Sequence, residues 1–279
     1  MRHLLFLLLP LLLLTGCPAD ADVTPAFVIV EDFNLTTPGL PGTTENITEV
    51  WAFADNVFLG AFRLPARIPV HRSGTTNLRF EAGVRQNGIS ATPDIYEFYT
   101  PVERQLELVP GETTELGVLN INYRDDVRFA LLEDFEDVNE RVFTDVQVGN
   151  GPFELSTDVV RSGNASGVLR LSEDNPLVEL GSSDLRDLIA NRPYVWLEVD
   201  FLSTVPGIWG VVGQDGFTPV RLFDPGFRAQ PNWTKIYFNL SEIIVLSNLD
   251  EYQLVFSTIL PEDQAEGEVY LDNIRLLYF

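Results

Sequence analysis

The sequence predicts an all-β fold built as two antiparallel β-sandwich domains. From Ala26 onward, apolar runs of strand length alternate with turns rich in Gly, Pro, Asn and Asp. No window sustains the i, i+3, i+4 apolar spacing of a long amphipathic helix. A charged run at 123–126 separates two segments of ordinary domain size. We therefore expect one sandwich over 26–123 and a second over 127–279.

Residues 1–16 are predicted to be a cleavable leader. A basic start, Met1–His3, precedes an apolar stretch, Leu4–Leu14, which has signal-peptide length. The stretch is too short for a membrane-spanning helix, which needs about 20 apolar residues. It ends in Leu14-Thr15-Gly16-Cys17, which resembles the lipobox of bacterial lipoproteins. The resemblance implies that Cys17 carries the lipid and that residues 17–25 form a short tether to the membrane.

Cys17 is the only cysteine, so lipidation leaves the mature chain without a thiol or a disulfide. No aspartate directly follows it, as in lipoproteins sent to the outer membrane, and the expected location is the periplasmic or the cell-surface side. The alternative is an ordinary secreted protein whose cysteine happens to lie at the cleavage site.

The formal net charge of −23 bears on possible partners. An acidic surface repels phosphate backbones and anionic headgroups, so nucleic acid is not expected as a partner. Solubility is the simplest role of this charge, and attraction of divalent cations is a second one.

The first domain contains a short hairpin followed by further strands. Asp55-Asn56 is expected to turn between Ile47–Phe53 and Val57–Phe62, because both residue types tolerate positive φ. The later strands are predicted at Leu64–Val70, Asn77–Val84, Val102–Leu108 and Thr114–Ile121, with turns at Gly74-Thr75 and at Pro110-Gly111, the latter joining the last pair as a hairpin. This order of turns resembles the PEGA-like and carboxypeptidase-regulatory-like sandwiches. The resemblance implies a spacer or interaction module without catalysis.

The second domain opens with Phe129–Asp137 and closes with Val269–Leu276. Between them, Ser166–Leu171, Tyr194–Phe201, Trp233–Leu240 and Tyr252–Ser257 are predicted as strands, and Ser182–Ile189 as a short helix. The acidic opening strand and the Asp-Asn closing strand resemble the jelly-roll domains of carbohydrate-binding modules and their galactose-binding-like relatives. The last strand is expected to pair near the first.

Glycan binding requires exposed aromatic rings with a few polar groups for orientation. Trp209 and Phe227 lie among Gly and Pro residues and are the leading candidates for a stacking platform. Trp196 follows, because alternation places it on one face with Glu198 and Asp200. The alternative is that these aromatic side chains are core residues.

The resembled modules carry a structural calcium ion between their first and last strands. In this chain that position implies Glu133, Glu136 and Asp272 as ligands. The alternative is that Asp272 and Asn273 cap a turn or pair with Arg275.

Catalytic chemistry has few candidate residues. Beyond the leader the only histidine is His71, and no G-x-S-x-G elbow is present. We expect a non-enzymatic, outer-membrane-anchored protein whose jelly roll binds a glycan or a partner protein. A structural or accessory subunit of an outer-membrane or cell-surface assembly is the alternative, followed by an unrecognised glycoside hydrolase.

Overall fold

The computed structural model describes residues 24–40, 42–183, 185, 186, 188 and 194–279. The predicted leader and Cys17 lie outside the described residues. Within these ranges the chain forms twenty strands and one short helix, α1 (Ser241–Ser247). None of the described helices combines the length and apolar character needed to cross a membrane. The all-β prediction is confirmed.

The first eight strands form two facing sheets: β1 (Ala26–Leu35), β2 (Glu49–Ala54), β3 (Val57–Arg63), β4 (Ala66–Val70), β5 (Gly74–Arg85), β6 (Pro93–Ile95), β7 (Val102–Leu108) and β8 (Thr113–Ile121). One sheet has the order β4-β1-β8, and the other has the order β3-β2-β5-β6 with β7 also paired to β5. The core between them contains Val28, Val50, Ile68, Phe80 and Phe98. We call this unit the first sandwich.

The predicted hairpin is confirmed, with φ of 47° at Asp55 and 66° at Asn56 between β2 and β3. The predicted hairpin of the last two strands is wrong. β7 pairs with β5, whereas β8 pairs in parallel with β1, so Pro110-Gly111 joins different sheets. Among the described strand pairs, β1–β8 is the parallel one, and an isolated parallel bridge joins Gln86 to Tyr237. Local turn residues did not reveal these long-range partners.

The remaining strands build the second sandwich: β9 (Arg128–Glu133), β10 (Asp145–Val148), β11 (Glu154–Ser156), β12 (Ser166–Ser172), β13 (Leu177–Gly181), β14 (Leu185–Arg186), β15 (Val195–Ser203), β16 (Gly207–Asp215), β17 (Thr218–Phe227), β18 (Gln230–Asn239), β19 (Glu251–Ile259) and β20 (Glu266–Tyr278). One sheet runs β10-β13-β19-β16-β17, with β14 beside β19. The other runs β11-β12-β20-β15-β18, with β9 beside β20.

The strand that opens the second sandwich pairs antiparallel with the strand that closes it, as predicted, with Leu131 opposite Leu276. The predicted helix at Ser182–Ile189 is wrong in its described part, where Leu185–Arg186 pairs with β19. The helix lies instead at α1, where Ile243 and Ile244 are buried in the core. Short helices depend on such packing more than on capping residues.

Strand β15 belongs to both cores of the molecule. Val195, Leu197, Val199 and Phe201 face the core of the second sandwich, as the alternation predicts. Trp196, on the opposite face, is fully buried and belongs to the core of the first sandwich. The sheet containing β15 is therefore covered on both faces.

Candidate functional site

Trp209 and Phe227, the predicted stacking platform, are core residues. Trp209 has no solvent exposure, and its ring contacts Phe143 and Phe256 at centroid distances of 5.7 and 4.9 Å. Phe227 is 6% exposed and stacks on Phe201 at 4.0 Å. Since both side chains are buried in the core, the stacking role is wrong for both residues.

Trp196, Glu198 and Asp200 do share a face, but the first sandwich covers it completely. Tyr96 of the first sandwich packs edge-on against Trp196, and its hydroxyl donates to Glu198 Oε1 at 2.7 Å. Thr44 Oγ1 donates to Asp200 Oδ2 at 2.5 Å. These residues join the two sandwiches, and a ligand in solution does not reach them.

Glu198 lies at the centre of a buried charge cluster. Lys235 Nζ lies 2.9 Å and Arg275 Nη1 3.8 Å from its Oε2, and the Tyr123 hydroxyl donates to the same oxygen at 2.8 Å. Burial alone raises the pKa of Glu198, but the two cations outweigh it and hold that pKa below its usual value. An ionised, enclosed carboxylate that is already fully hydrogen-bonded cannot act on a sugar ring.

The three residues implied as calcium ligands do not fit one ion. Glu133 accepts the backbone N–H groups of Phe135 and Val142 at 3.1 and 2.7 Å. Glu136 accepts those of residues 164 and 165 at 2.7 and 3.0 Å, which lowers its pKa. Asp272 accepts from residues 161 and 162. Among the described residues, no group of three or more His, Cys, Asp or Glu side chains is placed to hold a metal ion.

A second surface of this sandwich carries an organised polar network. It is the outward side of the sheet β10-β13-β19-β16-β17, which we call the open face. Arg221 Nη2 reaches Glu179 Oε2 at 2.5 Å, and its Nη1 donates to Gln147 Oε1 at 3.0 Å. Gln147 Nε2 in turn donates to Gln253 Oε1 at 2.9 Å, and Ser257 Oγ donates to Glu179 Oε1 at 3.2 Å. The network thus links four strands through side chains.

Two glycines form the floor of this network. A Cβ at Gly181 would lie 2.9 Å from Gln147 Nε2 and 3.3 Å from the Gln253 amide. A Cβ at Gly210 would lie 2.5 Å from the Phe223 ring, which therefore rests directly on the backbone. The absence of side chains at these two positions lets the long polar groups and the ring lie flat across the sheet.

The open face ends in a shallow cavity of about 420 Å³ beside Arg221 and Gln253. The side chain of Arg221 is 41% exposed, and its guanidinium carbon lies 5.5 Å from the centre of the Phe223 ring. Arg221 consequently has donors that face solvent while its partners hold it in place. A pre-positioned arginine, carboxylate and amides beside a ring can bind hydroxyl groups and an apolar sugar face.

The residues of the open face were not predicted as ligands. Their shared sequence signal is a polar residue between two apolar neighbours, as at Gln147, Glu179, Arg221 and Gln253, which also describes an ordinary solvent-facing strand. The pairing that brings Gln147, Glu179, Arg221 and Gln253 together involves positions up to 106 residues apart.

Another exposed feature is an aromatic cluster on the first sandwich, made of Trp51, Phe53 and Phe58. The rings of Trp51 and Phe53 each lie 5.3 Å from that of Phe58, which is 50% exposed. Neighbouring Val57 is 52% exposed. The aromatic cluster is an apolar surface on an edge hairpin.

His71, the histidine considered for catalysis, is exposed between β4 and β5.

No sequence family matches the chain, and no curated protein matches it in sequence. Solved structures similar to it include the family 30 carbohydrate-binding module of a cellulosomal cellulase from Clostridium thermocellum, with a TM-score of 0.41 and 13% identity over 54% of this chain and 96% of that one. A family 29 carbohydrate-binding module has a TM-score of 0.34 and 8% identity, covering 56% and 88% of the two chains. A family 61 module, solved with β-1,4-galactotriose, has a TM-score of 0.31 and 8% identity, covering 56% and 90%.

Proposed function

We propose that this chain is a non-enzymatic lipoprotein of the outer membrane that binds a glycan on the open face of its second sandwich. The leader and the residues ending at Cys17 support the lipid anchor. The first sandwich then serves as a spacer between the tether and the binding domain.

The polar network over Gly181 and Gly210 is the observation that carries the glycan hypothesis. Arg221, Glu179, Gln147 and Gln253 are held by one another, so little side-chain entropy is lost when a ligand binds. A saccharide offers many hydroxyl groups that both donate and accept, and this mixed set of partners suits them.

A polysaccharide panel tests this function. The chain from Val23 onward keeps every strand and lacks the lipid, so its binding can be measured in solution by affinity electrophoresis and calorimetry. We expect binding to at least one neutral polysaccharide, weakened about ten-fold or more in Arg221→Gln, because a charge-assisted hydrogen bond contributes about 1.5–3 kcal/mol.

Arg170→Gln is the matched control for this experiment. Like Arg221, Arg170 is exposed on the second sandwich and pairs with a glutamate, in this case Glu268, but it lies on the other sheet. Equal losses in both variants, or no binding to any sugar, would contradict the proposal. Release of new reducing ends during incubation would indicate a hydrolase instead.

The aromatic cluster Trp51, Phe53 and Phe58 favours a second candidate, an accessory subunit of a larger envelope assembly. Exposed aromatic rings on an edge hairpin are typical of protein contacts. If the chain is such a subunit, chemical cross-linking of the lipidated protein in intact membranes should give a complex of defined size. Phe58→Ser should abolish that complex. Arg221→Gln leaves that complex unchanged.

A further inference from the structure

A large cleft lies where the two sandwiches meet. Its volume is about 720 Å³. One wall comes from the first sandwich (Asn46, Thr48, Arg85 and 87–89), and the other comes from β17, β18, the turn between them and Phe201 of β15. This volume is within the range of small-molecule sites. The cleft is separate from the open face, because none of its described lining residues belongs to the network of Arg221.

Among the described residues that line the cleft, basic side chains outnumber acidic ones. Overall, 41 acidic residues outnumber 18 Lys and Arg. In contrast, Arg85, Arg228 and Lys235 line the cleft, and Asp224 is the one carboxylate residue among its described lining. An exposed arginine in such a cleft attracts an anionic ligand group that the acidic surface elsewhere repels.

The three cations differ in availability. Lys235 Nζ is buried against Glu198, so its charge is already compensated. Arg85 donates from Nη1 to Ser90 and forms an ion pair with Glu49 at 3.4 Å through Nη2, so its charge is partly offset. Arg228 is exposed, and no described carboxylate lies within salt-bridge distance of it. Arg228 is therefore the cation with the most freedom to bind an anion.

The two walls are fixed relative to one another. The Asn46 side chain donates to the Lys235 carbonyl at 2.9 Å, and its backbone N–H donates to the Tyr237 hydroxyl at 3.0 Å. The Asn87 N–H donates to the Tyr237 carbonyl at 2.8 Å, and the Asn239 N–H donates to Asn87 Oδ1 at 3.0 Å. Such a preformed site avoids the cost of ordering its walls on binding.

The cleft continues toward the open face. A smaller, mostly apolar cavity of about 380 Å³ shares Phe227 and Arg228 with the cleft and is also lined by Ile208 and Ser257. Ser257 belongs to the polar network of the open face. Arg228 thus lines both the cleft and a cavity that borders the open face.

We propose that this cleft is a second binding site, which takes the carboxylate of an acidic saccharide at Arg228, with Arg85 on the opposite wall. The class of ligand rests on the proposed glycan binding, whereas the site itself is separate from the open face. Arginine binds a carboxylate through two parallel N–H groups, and the exposed amide of Gln230 is available to sugar hydroxyls.

Calorimetry with a galacturonate trisaccharide and its methyl ester tests the proposal in the chain from Val23 onward. We expect the acid to bind at least ten-fold more tightly than the ester, and the difference to shrink as salt is added. Arg228→Gln should remove most of that difference. The fold should be unaffected, because Arg228 is exposed and has no ion pair with a described carboxylate. Arg104→Gln, an exposed arginine outside the cleft, should leave it unchanged.

The outcomes separate this site from the open face. Loss of acid binding in Arg221→Gln but not in Arg228→Gln would overturn the cleft site and assign the charge recognition to the open face. Equal binding of the acid and the ester, or no binding of either, would also overturn the cleft site. Binding of neutral polysaccharides to the open face is tested separately by the polysaccharide panel. Acetate that competes as well as the trisaccharide would show a simple anion site and overturn the saccharide assignment.

Discussion

Asp272→Asn removes a buried carboxyl group whose protonation is coupled to folding. Asp272 has no solvent exposure, and burial raises its pKa from 3.8 to about 7, although backbone N–H groups of residues 162, 273 and 161 partly oppose the shift. Asp200, another buried acid, adds to the rise. Between pH 4 and pH 7 the folded chain therefore keeps this proton while the unfolded chain releases it.

The sign and size of the effect follow from linkage. Because unfolding releases a proton in this range, each unit of rising pH lowers the free energy of unfolding by about 1.4 kcal/mol, and the loss ends near pH 7. The full change is on the order of 4 kcal/mol. The contribution of Asp272 to stability is thus complete below about pH 4 and gone above about pH 7.

Urea denaturation of the wild type and Asp272→Asn, at half-unit steps from pH 4 to 8 in EDTA, measures this contribution. We expect the free-energy difference between them to shift by several kcal/mol in favour of the variant as the pH rises, since the amide does not titrate. Shared contributions, such as that of Glu198, largely cancel in the difference. Parallel curves for the two proteins would refute the reasoning, and the exposed Asp263→Asn should follow the wild type.

Four further outcomes are expected. Glu198→Ala leaves the buried Lys235 without its closest counter-charge and should cost about 3–5 kcal/mol in urea denaturation. Trp209→Ala should lower the free energy of unfolding by a similar amount, because it opens a cavity in the core. The melting temperature should therefore fall whether or not a glycan is present. Gly181→Ala pushes against the amides of the open face and should weaken polysaccharide binding in calorimetry several-fold, with a stability change of about 1 kcal/mol or less. Calcium and EDTA should leave the melting temperature of the wild type unchanged, because the described carboxylates form no shared site.

Features set by neighbouring residues were predictable from the sequence. The Asp55-Asn56 hairpin followed from turn chemistry, and the two faces of β15 followed from strict alternation of apolar and polar residues. Alternation could not show, however, that the polar face of β15 is buried under another sandwich. The alternating sequence around Trp196 and Glu198 is the same whether their face is covered by protein or exposed to solvent.

Trp209 shows why glycine misled the prediction of exposure. The Gly residues around it suggest a loop, yet Gly207 and Gly210 both lie within β16. A Cβ at Gly207 would lie 2.6 Å from the Phe227 ring and 2.7 Å from the Phe256 ring. Gly207 makes room for aromatic rings on the core side of the sheet, and Gly210 makes room for the Phe223 ring on its outward side. Glycine at these positions therefore marks close packing rather than a loop.

The arrangement of the two sandwiches gives the open face its orientation. The first sandwich packs on the sheet that contains β15, β18 and β20, through Tyr96, Tyr123 and the charges around Glu198. The open face belongs to the opposite sheet of the second sandwich. In the proposed lipid-anchored protein, the first sandwich follows the tether directly. The buried charge cluster lies in the contact between the two sandwiches, so the open face is turned away from the first sandwich, and the cleft lies at the edge of that contact.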